Sequence, residues 1–226
     1  MGYIWDFSSV WHNFPALTNG LLVTLALSSL SLAFGIALSV PLAFLRRAKI
    51  KILSWAARAF IEIFRDLPVL VVLIWLFYCL PILMGDFVRI SPFQVAVIGL
   101  GLNLAALQSE IFRSGVESIP PGEIEAAKTL GFNRIQIARY IILPQAFWRT
   151  LAPTLGQGVN TLKLTALASF ISVDEVFHIT TLQIQNTYRP LEFYTILAGL
   201  YLALIIPISS LTQFIEYRLE RRFGSN

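Results

Sequence analysis

From Asn19 to Leu45 the chain carries no charged residue, and Arg46-Arg47 close the run. A helix rises about 1.5 Å per residue, so roughly 20 apolar residues cross a bilayer core about 30 Å thick. This run is therefore long enough to span a membrane. It does not read as a cleavable secretory signal, because no basic region precedes it and its apolar part is too long. Three more runs follow: Leu67 to Leu83 with a short exit loop holding Gly85, Asp86 and Arg89, then Pro92 to Phe112, then Phe193 to Phe214. A less regular segment, Pro144 to Phe170, contains Pro153, Gly156, Gln157, Gly158, Asn160 and Lys163. It is long enough to cross but too polar to face lipid on all sides.

Composition excludes the soluble alternative. Only 13% of residues are charged, while 56% are hydrophobic and mean hydropathy is +0.71. Soluble domains carry roughly a quarter charged residues, and a chain of 226 residues has too little interior to hide this much apolar surface. The single cysteine, Cys79, excludes an internal disulfide and a cysteine metal cluster, and reads as a buried inert thiol.

The positive charges fall in three segments. Arg46, Arg47, Lys49, Lys51, Arg58 and Arg65 form the first, Arg113, Lys128, Arg134, Arg139 and Arg149 the second, and Arg218, Arg221 and Arg222 the third; together they hold 14 of the 17 Lys and Arg. Counting Pro144 to Phe170 as a crossing puts all three on one side, as the positive-inside rule requires. The sequence therefore predicts an all-α integral membrane bundle of five transmembrane helices, N-terminus outside and C-terminus cytoplasmic. The net charge of +4 is a topology signal, not a nucleic-acid surface. Val173 to Pro190 would lie outside as a short surface helix with Val176, Ile179, Leu182 and Ile184 on its apolar side. Ile50 to Phe64 reads as an inner interfacial helix bent into the second crossing at Pro68. With no repeat or linker, residues 1–226 form one domain.

Between the third and fourth crossings lies a polar insertion, about residues 114–145. Pro120-Pro121-Gly122 ends one helix and starts another, with Glu123 and Glu125 near the positive end of the new helix dipole. Gly131 suits a left-handed helix stop, Asn133 with Gln136 a capping box, and Pro144 the end of a second short helix. Ala126 and Ala127 would leave one face nearly without side-chain bulk, suited to a groove on another protein.

The insertion resembles the EAA loop of ABC-importer permeases. Glu125-Ala126-Ala127, three residues, Gly131, nine residues, Ile141, one residue and Leu143-Pro144 reproduce its spacing. The resemblance covers most of the chain and is strongest to the polar amino-acid uptake permeases. Asn19-Gly20-Leu21-Leu22-Val23-Thr24-Leu25 is similar to their first span. Phe64-Arg65-Asp66-Leu67-Pro68 resembles their F-R-G-T-P turn, with Asp66 and Leu67 in place of Gly-Thr, and Glu110-Ile111-Phe112-Arg113 resembles A-E-I-x-R. This implies a transport subunit rather than an enzyme. It implies a second permease subunit, identical or paralogous, two cytoplasmic ATPase subunits, an extracytoplasmic substrate-binding protein and an amino-acid substrate. ATP and Mg would be bound by the ATPases, and this chain has no phosphate-binding G-x-x-x-x-G-K-[ST] loop of its own. The resemblance assigns ATPase coupling to Glu125, Ala126, Ala127, Gly131, Leu143 and Pro144.

Polar side chains within spans are costly, so the few present are candidates for a substrate pathway. Asn103 and Glu110 are seven residues apart on nearly one helix face, with Gln108 offset. Glu110 either meets substrate or pairs with Arg113 one turn on; in the family the acid at the matching position lies near the bound amino acid. Lys163-Leu164-Thr165-Ala166-Leu167 is similar to the family's K-[D/N]-T-S-L, which brings in Lys163 and Thr165. Leu164 replaces the acid, which argues against a strongly cationic substrate unless a paralogous partner supplies one. Gly99, Gly101, Gly156 and Gly158 read first as helix-packing residues, and His12 and His178 carry no assigned role. The alternatives are an ion-coupled secondary carrier and a membrane scaffold, neither of which accounts for the cytoplasmic hairpin.

Overall fold

The computed structural model describes residues 3–84 and 90–223. Gly85, Asp86 and Arg89 of the expected exit loop lie outside them, as do the side chains of Arg221 and Arg222.

A short helix α1 (Ser8–His12) leads into the 32-residue α2 (Phe14–Leu45). The buried face of α2 is built from Gly20, Thr24, Ser28, Ser31, Gly35 and Ser39, three or four residues apart. Small residues at this spacing let a neighbouring backbone approach closely: the segment Val176–Thr187 lies on Gly20, and α6 (Pro92–Glu117) packs along α2 at Gly35. The contact is reciprocal: Gly35 sits under Leu104, where a Cβ would come within 2.6 Å of its Cδ2, and Gly101 sits under Phe34. Gly99 seats Leu73 in the same way, so the packing reading of Gly99 and Gly101 holds.

Helix α6 is the hub. Helices α2, α3 (Lys51–Asp66), α4 (Val69–Ile74) and α9 (Leu143–Leu164) all pack against it. Its start is fixed by a reciprocal capping box between Ser91 and Gln94. The interfacial helix expected from Ile50 forms as α3, and its axis turns by 108° into the following helix. Leu67 and Pro68 are extended at the turn, as a proline and the residue before it favour.

Pro144 does not stop the second helix of the insertion. Helix α8 (Arg134–Ile137) runs through a wide π turn (Ala138–Ile142) straight into α9, with Pro144 in its first turn. The same arrangement precedes Pro81, where a π turn (Trp75–Cys79) joins α4 to α5 (Leu80–Met84). In an α-helix the proline ring clashes with the carbonyl four residues back, which also loses its N–H partner. An i→i+5 turn just upstream moves that carbonyl aside, so the helix continues.

Past α9 a 3-10 segment (Thr165–Ile171) and a left-handed Ser172 lead to α10 (Val176–Thr187), and α11 (Pro190–Phe223) completes the bundle. Val176 and Ile179 of α10 are packed inward as expected, whereas Leu182 is 37% exposed. Among the described residues three helices are long and apolar enough to cross a membrane: Phe14–Leu45, Pro92–Glu117 and Pro190–Leu219. The bent pair Lys51–Asp66 and Val69–Leu83 makes a fourth if it counts as one crossing. Helix α9 is long enough but is not among these apolar spans.

Candidate coupling hairpin and translocation path

The insertion folds as its local residues dictate. Pro120 caps α7 (Pro121–Thr129), with Pro121 at the first helical position and Glu123 in the first turn. Gly131 stands at φ +83°; its N–H donates to the Lys128 carbonyl at 3.0 Å, and Phe132 N–H donates to the Ala127 carbonyl at 3.1 Å. This pair of bonds is a Schellman stop, which needs a left-handed residue where Gly131 lies. Asn133 then caps α8: its Oδ1 accepts from Gln136 N at 2.9 Å, and Gln136 Oε1 accepts from Asn133 N at 2.8 Å. Ala126 and Ala127 do not share a face. Ala127 is 3% exposed and packs inward, while Glu125, Ala126 and Gly131 face outward. The outer surface also presents Leu130 and Ile135, each more than three-quarters exposed. Leu143 and Pro144 are exposed at the base, in the helix that leaves the hairpin.

Three contacts join the hairpin and its base to the bundle. Gln145 Nε2 donates to the Glu123 carboxylate. Arg149 Nη1 donates to the carbonyl and hydroxyl oxygens of Ser118 at 3.0 and 3.3 Å. Gly115 of α6 lies against Thr150 of α9 with no room for a Cβ. The hairpin is thereby joined to α9, which continues α8 through the π turn Ala138–Ile142.

At the same end α2 and α6 are tied by charge. Glu110 pairs with Arg46 and, at 2.7 Å, with Arg113; Arg113 also holds Glu117, which meets Arg47 at 3.5 Å. The expected Arg113 pairing is present, and Arg46 is a second partner from a distant helix. The polar residues of α6 have partners too. Asn103 Nδ2 donates at 2.7 Å to the Phe64 carbonyl, one of the acceptors left free where α3 ends. Gln108 is fully buried and donates at 2.6 Å to Thr154, leaving its Oε1 without a partner. Thr165 is also buried and donates to the Leu162 carbonyl at 2.7 Å.

Lys163 differs from these. It is exposed, and among the described residues it makes no ion pair. With Pro153, Gly156 and Asn160 it forms an exposed line along α9 at helical spacing. Among the described residues nothing lies within 4 Å of where a Gly156 Cβ would stand, so Gly156 serves no helix packing among them. Gly158, by contrast, faces Leu32. Two fully buried carboxylates, Glu175 and Glu192, are not among the residues expected from the sequence. Glu175 caps α10 and reaches the Thr24 and Tyr201 hydroxyls; Glu192 takes Tyr3, the Asp6 backbone and Arg189. The hydroxyl partners of Glu175 and most partners of Glu192 are far away in sequence; the local signals are the N-cap position of Glu175, which accepts from Phe177 and His178 N–H, and Arg189 three residues before Glu192.

A family model described as binding-protein-dependent transport system inner membrane component matches residues 35–224. The glutamine transport system permease protein GlnP of Escherichia coli K12 is 36% identical over 217 residues, covering 96% of this chain and 97% of that one. The octopine transport system permease protein OccM of Rhizobium radiobacter is 33% identical over 226 residues, covering 96% and 92%. Among solved structures, an amino acid ABC transporter crystallised with histidines superposes with a TM-score of 0.89 at 30% identity, covering 96% of this chain and all of that one.

Proposed function

This chain belongs to the family of binding-protein-dependent transport system inner membrane components, and from that premise we propose the path its cargo takes and the way the ATPase drives it. It is the permease subunit of an ABC importer for amino acids, a multi-pass membrane protein that works with an ATPase and a binding protein. It is not an enzyme, because the partner ATPase hydrolyses the ATP. The ion-coupled carrier and the scaffold are not favoured.

The proposed cargo is a polar amino acid or close analogue without a strongly cationic side chain. GlnP is named for glutamine, whose side chain is uncharged, and Leu164 leaves this chain without an acid beside Lys163.

The exposed line Pro153, Gly156, Asn160 and Lys163 carries the proposal for the path. Helix α9 has 22 residues and so extends about 33 Å, enough to cross. Lys163 stands in the last turn of α9, and with Asn160, Gly156 and Pro153 it gives this face a polar, proline- and glycine-broken character unsuited to lipid contact along its length. This face is therefore turned to water or to a second permease subunit, and the cargo moves along it. Counting α9 makes five crossings and gathers the basic segments on the cytoplasmic side, with the N-terminus outside.

The hairpin docks on an ATPase through Glu125, Ala126, Leu130 and Ile135, with Gly131 holding its turn. Closure of two ATPase subunits moves it, and Gln145, Arg149 and Thr150 transmit the motion to α6 and α9. A second permease copy, identical or paralogous, completes the pathway. ATP and Mg reside on the ATPases. Coupling of this kind requires the closed ATPase pair to prefer one permease conformation.

The test is ATP-driven uptake of glutamine and related polar amino acids in proteoliposomes holding the permease, ATPase and binding protein. Lys163→Met should cut the uptake rate by about tenfold, as expected for loss of one charged contact. Unchanged uptake would remove α9 from the path. Uptake without the ATPase would remove the drive mechanism.

A further inference from the structure

Helix α3 is pinned at both ends. Near its start the Ser54 hydroxyl donates to the Arg46 carbonyl at 2.7 Å, and near its end the Phe64 carbonyl accepts from Asn103. Arg46 and Arg47, paired with Glu110 and Glu117, place that start at the hairpin end of the bundle. With the following helix as the second crossing, the 108° turn lays α3 nearly along the membrane plane.

At about 100° per residue the side chains of α3 sort into three faces. Ala57, Phe60, Ile61 and Phe64 pack with Leu42, Ala105 and Ala106 of α2 and α6. Ile52, Ala56 and Ile63 make a second face, apolar and exposed, on which Ile52 is 77% open. Lys51, Arg58, Glu62 and Arg65 make the third, also exposed. Trp55, 73% exposed, stands on the border between the second and the third. A helix lodged between protein, acyl chains and headgroups needs three such faces, with an amphipathic indole where the last two meet.

The charges of the third face do not balance. Arg65 is paired with Asp66 at 3.0 Å. Among the described residues Lys51, Arg58 and Glu62 are in no ion pair, and neither is exposed Lys49 just before the helix. Three free cations therefore stand with one free carboxylate along the edge of an apolar strip. A protein partner would cover the strip but has no need of free cations on its border. An anionic phospholipid meets both, with its headgroup on the cations and its chains on the strip.

We propose that α3 is a binding site for anionic phospholipid in the leaflet at the hairpin end: Lys49, Lys51 and Arg58 take the headgroup, and the acyl chains lie against Ile52, Ala56 and Ile63. The site is independent of the cargo path along α9.

The experiment measures quenching of Trp55 by lipids brominated in their acyl chains, using the complete permease–ATPase assembly in nanodiscs. The fluorescence lost in Trp55→Phe isolates the signal of this tryptophan. Brominated phosphatidylglycerol is compared with brominated phosphatidylcholine to give the relative affinity of the two headgroups beside α3. Each cation at a membrane surface is worth about fivefold at low salt. The wild type, with a net excess of two, should prefer phosphatidylglycerol by about twentyfold. The double variant Lys51→Gln/Arg58→Gln should bring the ratio close to one. Glu62→Gln should raise it about fivefold, and Lys51→Arg should leave it unchanged. These residues are exposed and outside the packed face, and equal quenching by brominated phosphatidylcholine in every variant shows that α3 keeps its place. Absence of quenching of Trp55 by either lipid would mean that an ATPase or a second permease covers the face, and overturns the proposal. So does a wild-type ratio near one, or a ratio that the double variant does not change. Both leaflets of the disc share one composition, so the outcome does not depend on which side of the membrane α3 occupies.

Discussion

Gly115 and Thr150 touch so closely that a Cβ on the glycine would overlap the threonine methyl, with the Ala146 carbonyl 3.4 Å away. This is where α6 and α9 come together beside the hairpin. Gly115→Ala should force the two helices apart and lower stability by about 1–3 kcal/mol, the usual cost of overpacking. Thr150→Ser removes the methyl but keeps the hydroxyl. The double variant should therefore recover most of the loss, measured as the thermal midpoint of the purified complex. If Thr150→Ser gives no rescue, the contact does not limit the approach of the helices.

Gly131 has open space around its missing side chain but a backbone only glycine adopts easily, at φ +83°. Gly131→Val should cost about 1–2 kcal/mol from left-handed strain alone. The hairpin turn then reshapes while the bundle stays folded. More ATP should be hydrolysed per amino acid imported in proteoliposomes, and Gly131→Asn should lie between Val and wild type. Equal stoichiometry in all three would remove Gly131 from the coupling.

Asn103 gives its amide to the Phe64 carbonyl at the bend between α3 and α4. Asn103→Leu keeps the volume near and leaves that acceptor unmet, costing about 1–3 kcal/mol. The thermal midpoint should drop while the KM for uptake stays constant. A raised KM at unchanged stability would instead make Asn103 a cargo contact.

Glu175 is fully buried at the start of α10, accepting from His178 N at 2.7 Å and Phe177 N at 3.0 Å. Burial pushes its carboxyl up from 4.5 to about 7, against the pull of those N–H groups and the Tyr201 and Thr24 hydroxyls. A carboxyl raised on folding favours the folded state while protonated, so its contribution is complete below about 4.5 and is lost as pH rises through about 7. The thermal midpoint of the wild type, relative to that of Glu175→Gln, should fall across this window. A flat difference would mean the carboxyl stays charged throughout.

The hairpin was legible because its signals are local. Pro121, Gly131 and the Asn133–Gln136 box each act within one turn of helix, and each is found where spacing puts it. The bend at Pro68 is legible for the same reason. Pro144 stops no helix: a π turn precedes it, and Pro41, Pro153 and Pro207 also lie inside helices, so a proline alone does not mark a helix end in this chain. The two alanines beside Glu125 do not form one surface, because adjacent helical residues point about 100° apart, and only the fold shows that Ala127 is the inward one.

Hydropathy and charge order in the sequence by themselves determined a helical membrane protein with a polar hairpin between two of its long segments, because the cost of putting charge in lipid is paid residue by residue. The tertiary structure alone decided which polar groups are satisfied and which stay available. Arg46 finds Glu110 across 64 residues, Asn103 finds Phe64 across 39, and Lys163 and Arg149 are left without a counter-ion among the described residues. Side-chain partners over such separations depend on how helices cross, and no local rule carries that information.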